Sequence, residues 1–258
     1  MIHFVGAGPG AVDLITVRGM ELLRKADVII YAGSLVNPEL LEYAKESAKI
    51  YDSAVMTLEE VSELMIRADA SGNEVVRLHT GEPSLYGAVR EQMDLLDKEG
   101  IEYDSCPGVS ACFGAAAGMN LEFTLPGVTQ TLIITRLSGR TKVPEKEDIA
   151  GLSAHGASMA VYLSAGMTER LSGELIRGGY LPDTPAAIIY KATWEEEKRV
   201  ICTVGTLHEA AVMADITKTA VILVGDAVKH SEYDRSRLYD PSFSTGYRKA
   251  DQIIQGKK

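Results

Sequence analysis

Hydrophobic positions along the chain follow two alternating patterns. Short β-rich runs at residues 2–5, 28–31 and 75–78 alternate with stretches of helical spacing. Residues 16–24 place Val17, Met20 and Leu23 at i, i+3 and i+6, one stripe of a helix. Residues 38–45 and 57–69 read as further helices. The second opens with Thr57 and Glu60 at capping-box spacing. Residues 85–98 read as a helix stopped by Gly100, and residues 110–117 as a small-residue helix behind Pro107-Gly108. Such alternation predicts an α/β protein.

The pattern changes character at residues 121–128, where Leu125-Pro126-Gly127 signals a turn or linker. Beyond it, residues 130–135, 159–163, 186–190, 201–204 and 220–224 read as strands, with helices at 167–176 and 206–213. The expectation is two consecutive α/β domains, residues 1–122 and 123–230. A polar tail follows at 231–258 and reads as mobile.

The 258 residues, 46% hydrophobic and 24% charged, describe a globular chain and exclude low-complexity or disordered classes. No apolar run approaches the roughly 18 residues of a membrane helix. The first residues lack a basic leader with an apolar core, so a cytoplasmic protein is expected. Three cysteines at 106, 112 and 202, with no C-x-x-C pair, predict reduced thiols and no zinc site. A net charge of −10 makes nucleic acid a poor partner.

Gly6-Ala7-Gly8-Pro9-Gly10-Ala11 follows the first strand and matches the dinucleotide-binding pattern G-x-G-x-x-G/A. Two features count against that match. Pro9 removes an N–H from the loop, and strand two ends in Tyr31-Ala32-Gly33 without the acid that would hold a ribose. A tight turn without a ligand is the plain alternative. Two more glycine loops follow, Thr80-Gly81-Glu82-Pro83-Ser84-Leu85-Tyr86-Gly87 and Pro107-Gly108-Val109-Ser110-Ala111. Three such loops at strand ends predict a ligand crevice at the carboxyl edge of a sheet. Glu82 reads either as an acceptor for a ribose hydroxyl or as an acid favoured by the dipole of a following helix.

Taken together, these three loops resemble the tetrapyrrole methylase family, over residues 1 to about 228. More narrowly, Tyr31-Ala32-Gly33-Ser34-Leu35-Val36-Asn37-Pro38 and Arg235-Ser236-Arg237-Leu238-Tyr239-Asp240-Pro241 resemble the branch that methylates carbon 11 of precorrin-4 or cobalt-precorrin-4 in cobalamin synthesis. The resemblance implies two α/β domains with the cofactor in the trough between them, usually as a homodimer. It also implies methyl transfer from S-adenosylmethionine, leaving S-adenosylhomocysteine. By position it implies cofactor contacts at Pro9, at Thr80, Gly81, Glu82, Leu85 and Tyr86, at Ser110 and Ala111, and at Leu163, Ala192 and Thr219. One departure stands out. Relatives that methylate uroporphyrinogen carry an aspartate directly after the tyrosine of strand two, where this chain has Ala32, so no catalytic acid is carried over.

A tetrapyrrole bears many carboxylates, so a chain of this charge needs local cations at its mouth. Arg136, Arg140 and Lys142 form such a cluster without an intervening acid, and read either as carboxylate grips or as a solvated loop. Arg18, Arg24, Arg235, Arg237 and Arg248 are further candidates. His79 lies beside the second glycine loop but reads more simply as a core histidine. Histidines 3, 155, 208 and 230 are dispersed, and no metal site is expected. Trp194 reads as a turn or dimer contact, and Met159 and Met167 as core. The rival readings are another acceptor within the family, a nicotinamide-dependent oxidoreductase built on the glycine loop, and a ligand-binding module without turnover.

Overall fold

The computed structural model describes residues 1–229 and 232–250. By contact density the chain divides into two compact units. One comprises Met1–Asn120 with Ile188–Val200 and Ile216–Val221. The other comprises Leu121–Ala187, Ile201–Asp215 and the chain from Ile222 onward.

The first half of the chain runs β1 (Ile2–Gly6), α1 (Val17–Lys25), β2 (Val28–Tyr31), β3 (Lys49–Asp52), α2 (Leu58–Ala70), β4 (Val75–His79), α3 (Arg90–Lys98), β5 (Tyr103–Cys106) and α4 (Ala111–Gly118). Its five strands form a sheet of order β3-β2-β4-β1-β5, parallel at every pairing. Both faces are covered, as parallel sheets require. Ile2, Phe4, Val28, Ile30 and Val75 pack on one face against Val61 and Met65 of α2 and Met93 and Leu96 of α3. Val5, Ile29, Val76 and Leu78 pack on the other against Leu23 of α1 and against Val36 and Leu40. Each fully buried side chain of this size contributes roughly 1.5–3 kcal/mol. From β1 the chain continues to β2, on the β4 side; from β4 it crosses to β5, on the far side of β1. Connections therefore leave the neighbours β1 and β4 in opposite senses, which opens a crevice at their carboxyl ends.

The second sheet has the order β6-β7-β10-β8-β9, from β6 (Leu132–Arg136), β7 (Ser158–Tyr162), β8 (Pro185–Tyr190), β9 (Lys198–Thr203) and β10 (Ala220–Val224). It is mixed: β6 runs parallel to β7, and β10 antiparallel to it. Its helices are α5 (Ile149–Ser153), α6 (Thr168–Arg177) and α7 (Leu207–Met213). Among the described residues no helix is long and apolar enough to cross a membrane.

Several elements differ from the sequence expectation. Residues 38–45 hold a 3₁₀ stretch, Pro38–Tyr43, instead of an α-helix; only Leu40 is buried there, and short i→i+3 bonds suffice. The helix expected from residue 85 begins at Arg90. Tyr86 and Ala88 have φ of 58° and 51°, outside the helical region, and the chain folds so tightly that a Cβ on Gly87 would stand 2.2 Å from the Pro83 carbonyl oxygen. The edge strands β3 and β5 and the short α5 were not expected. In the tail, Asp234 N–H donates to Pro126 O at 2.9 Å, and Arg248 donates to the carbonyls of Leu238, Asp240 and Phe243. His230, and the expectation of mobility at residues 231 and 251–258, lie outside the described residues.

Candidate functional site

Three glycine loops meet at the carboxyl ends of β1, β4 and β5. Gly8 and Gly81 form an antiparallel bridge, Gly81 N–H donating to Gly8 O at 2.8 Å and Gly8 N–H to Gly81 O at 3.3 Å. A Cβ on Gly6 would stand 2.6 Å from Gly108 Cα, and one on Gly108 would stand 2.1 Å from Gly81 O. No other residue type fits at Gly6 or Gly108, because the atoms met there are backbone.

Glu82 joins two of the loops. Its Oε2 accepts the Gly108 N–H at 2.8 Å and its Oε1 the Ser84 N–H at 3.0 Å. Burial acts to raise its pKa, but the hydrogen bonds from Ser84 and Gly108 outweigh it and hold the carboxyl below its usual value. Glu82 is eight positions ahead of α3, so the reading as an acid in a helix's first turn fails. Thr80 and Leu85 are half-buried, and Tyr86 is exposed on left-handed backbone. Ser110 is the buried N-cap residue of α4, whose first residue is Ala111.

The connection between β8 and β9 returns to the glycine loop of β1. Ala11 N–H donates to Thr193 Oγ1 at 3.0 Å, and Trp194 Nε1–H donates to Pro9 O at 3.1 Å. The indole occupies the space a side chain on Gly10 would need: a Cβ there would stand 2.1 Å from Trp194 Cδ1. Asn37 Nδ2 donates to Gly10 O. Ala192 is buried between Lys191 and Thr193, whose φ values are 46° and 71°. Lys191 N–H donates to Thr219 O at 2.9 Å, and Thr219 also has positive φ, 54°. Left-handed backbone on non-glycine residues costs on the order of 1–3 kcal/mol each and gathers at functional sites.

These bonds limit what the glycine loop can hold. Ala7 N–H goes to His79 O, Gly8 N–H to Gly81 O and Ala11 N–H to Thr193, while Pro9 has none. A phosphate needs those donors. With them engaged, and no acid at Ala32, the nicotinamide-dinucleotide alternative is not favoured.

At the position after Ala32, Gly33 N–H donates to Asp52 Oδ1 at 3.1 Å, and Ala54 N–H donates to the same oxygen. The strand register pairs Tyr31 with Asp52. A Cβ on Gly33 would stand 2.2 Å from Asp52 Oδ2, so glycine there makes room for a carboxylate from the neighbouring strand.

His79 is the core histidine of this crevice. It stacks on Phe4 with ring centroids 6.1 Å apart, and its Nε2 has no partner. Burial, reinforced by the charge of Arg77, pushes its pKa down to about 3. Arg77 itself is lowered to about 10 by burial; it donates to Gln92 Oε1 and Ile30 O.

In the second unit, Leu163 follows β7 with φ 53° and is 65% exposed, an apolar side chain displayed on strained backbone. Arg136 ends β6. Its guanidinium donates to Thr141 O at 3.0 Å and Lys142 O at 3.1 Å, and thereby shapes the loop that carries Arg140 and Lys142. Both of those cations are exposed. Ser164 Oγ accepts the Leu137 N–H and donates to Tyr162 O, tying this loop to the end of β7. Arg18 pairs with Asp104 and Arg24 with Glu21, and Arg235 donates to Tyr239 O.

Sequence reasoning missed Thr193, Asn37 and Asp52 and assigned Trp194 to a turn or dimer contact. It does sit in a turn, with Trp194 N–H donating to Lys191 O, but its indole serves the glycine loop. A lone tryptophan beside small residues was the available signal.

The chain resembles known proteins in sequence and fold. A family model described as Tetrapyrrole (Corrin/Porphyrin) Methylases matches residues 1–208. The chain is 50% identical over 249 residues to the cobalt-precorrin-4 C(11)-methyltransferase of Methanocaldococcus jannaschii, with 96% of each chain covered. A solved cobalt precorrin-4 methyltransferase matches with a TM-score of 0.86 at 45% identity, covering 88% of this chain and 95% of that one. Uroporphyrin-III C-methyl transferase from Thermus thermophilus, solved with S-adenyl homocysteine, matches with a TM-score of 0.73 at 25% identity, covering 89% and 93%. The glycine loops, the two sheets and this likeness over nearly the whole chain agree: the protein belongs to the tetrapyrrole methylase family.

Proposed function

We propose that this protein transfers a methyl group from S-adenosylmethionine to carbon 11 of a precorrin-4-type ring in cobalamin synthesis. The observation that carries the reading is the 50% identity over nearly the whole chain to a cobalt-precorrin-4 C(11)-methyltransferase, and the engaged Ala7, Gly8 and Ala11 amides of the glycine loop agree with a phosphate-free cofactor. Bound S-adenosylmethionine supplies a methyl already activated by a positive sulfur, toward an electron-rich ring carbon. The chain therefore contributes alignment above all, and positioning of this kind supplies roughly 7–11 kcal/mol.

Pro9, Thr80, Gly81, Glu82, Leu85, Tyr86, Ser110, Ala111, Leu163, Ala192 and Thr219 are the cofactor contacts in this reading. Glu82 acts through the loops it ties, and Leu163 and Tyr86 offer apolar surface on rigid backbone. Arg140 and Lys142, presented by the loop that Arg136 shapes, grip ring carboxylates by charge-assisted hydrogen bonds. The enzyme works as a homodimer in the cytoplasm.

The test is incubation with S-adenosylmethionine and enzymatically prepared cobalt-precorrin-4 or precorrin-4. The expected result is release of S-adenosylhomocysteine with one methyl gained by the ring, located at carbon 11 by NMR. A methyl at another carbon corrects the position. No S-adenosylhomocysteine with either ring overturns the reading.

A further inference from the structure

We propose that Thr193 and Trp194 are positioning residues for methyl transfer: they hold residues 9–11 in the shape that aligns the ring to be methylated. The inference rests on the proposed function and adds a role for the β8–β9 connection.

The contacts form a lock. Thr193 Oγ1 accepts the Ala11 N–H, and the indole N–H binds Pro9 O, so each end of the Pro9-Gly10-Ala11 segment is fixed by a side chain from far along the sequence. Between them the indole lies on Gly10, where no side chain fits. The ring of Pro9 packs against Gly114 of α4, where a Cβ would stand 2.9 Å from Pro9 Cγ and 3.0 Å from Thr193 Cγ2. Helix, proline and threonine are thus in one close contact.

The lock is itself held. Thr193 N–H donates to Glu197 Oε2, and Arg199 Nε donates to Glu197 Oε1. The ammonium of Lys191 stands 5.1 Å from the Trp194 ring and pairs with Glu196. Left-handed backbone at Lys191 and Thr193 persists only where surroundings over-determine it, which these contacts do. Trp194 also lines an open surface depression with Thr193, Glu195, Glu197 and Arg199.

The experiment uses the full chain and three variants. Trp194→Phe keeps a ring and loses the N–H; Thr193→Val keeps the branched shape and loses the acceptor; Thr193→Ser keeps the acceptor. Amide exchange at Ala11, the Kd for S-adenosylhomocysteine and steady-state methyl transfer to the tetrapyrrole are measured for each. We expect faster exchange at Ala11 in Thr193→Val. We expect kcat to fall about tenfold or more in Thr193→Val and Trp194→Phe, with a smaller rise in Kd because Pro9 is also a cofactor contact in the proposed reading. Thr193→Ser should return kcat to near the parent value. Unchanged exchange at Ala11, or faster exchange with unchanged kcat, overturns the proposal. A parallel loss of kcat, Kd and melting temperature, without rescue by serine, makes the role structural and also overturns it. Absence of turnover in the parent enzyme defeats the proposed function instead, and the exchange data still report whether the lock exists.

Discussion

The carboxylate of Glu82 accepts the backbone N–H of Gly108 at 2.8 Å, across 26 positions of sequence. With its second oxygen on Ser84 N–H it binds the loop after β4 to the loop after β5. A hydrogen bond to a charged group contributes about 1.5–3 kcal/mol. Glu82→Ala is therefore expected to weaken S-adenosylhomocysteine binding tenfold or more, about 1.4 kcal/mol, and to lower stability, as read by calorimetric titration and urea unfolding. Unchanged affinity would place the cofactor elsewhere.

The same carboxylate predicts an acid dependence. The folded loops favour its ionised form, so its pKa lies below the unfolded value, about 4.3. Its contribution is complete above that value and is lost as pH falls through the lower folded pKa. Glu82→Gln should lose less stability than the parent over that interval and differ by a constant amount at neutral pH. Parallel curves throughout would remove the ionised carboxylate from the account.

His79 acts over a higher interval. Its folded pKa of about 3 lies below the ordinary 6.5, so the unfolded chain takes up a proton that the folded chain refuses. Stability tied to the neutral ring is full above pH 6.5 and is lost progressively toward pH 3. His79→Phe keeps the stack on Phe4 and has no group to titrate. Its unfolding free energy should fall less steeply between those limits, measured by urea melts at half-unit steps.

Two glycines separate crowding from backbone preference. Gly108→Ala drives a Cβ to 2.1 Å from Gly81 O, with no flexible side chain to yield. A loss of at least about 3 kcal/mol, or roughly 6–12 °C in melting temperature, is expected. Gly72→Ala, at φ +76° with nothing within 4 Å, should lose only about 1–2 kcal/mol. Equal losses would mean that the three-loop contact is looser than its geometry.

For the exposed cations, Arg140→Ala with Lys142→Ala should raise the KM for the tetrapyrrole about tenfold, roughly 1.4 kcal/mol, while the Kd for S-adenosylhomocysteine stays constant. Arg136→Ala should act in the same direction by releasing the Thr141 and Lys142 carbonyls. Initial rates at fixed cofactor decide it; two unchanged constants would make the loop a surface feature.

Much of the first sheet could be read from local signals. Thr57 and Glu60 cap α2 by bonds three residues apart, so the sequence contains both partners in one glance. The strands β2 and β10 are unbroken apolar runs, matched to the residue. The strands β3 and β5 are edges on which Lys49 and Ser105 are exposed, and only pairing with distant strands makes them strands. Residues 85–89 carry helical spacing, but the close approach of Gly87 to Pro83 O overrides it. The glycine loops were visible because glycine runs behind strands are themselves a turn signal, although the contacts that require glycine at positions 6, 10 and 108 come from distant loops. Thr193 and Trp194 were not, because their partners lie 182 and 185 positions away.

That separation sets an order of events during synthesis. The glycine loop leaves the ribosome well over a hundred residues ahead of its clasp, and Pro9 O and Ala11 N–H gain their partners only once residue 194 has emerged. At about 5–20 residues per second the wait is roughly 10–40 s. Through that interval the nascent first sheet has its strands but lacks the clasp of its own first loop, and a product truncated before residue 193 never acquires it.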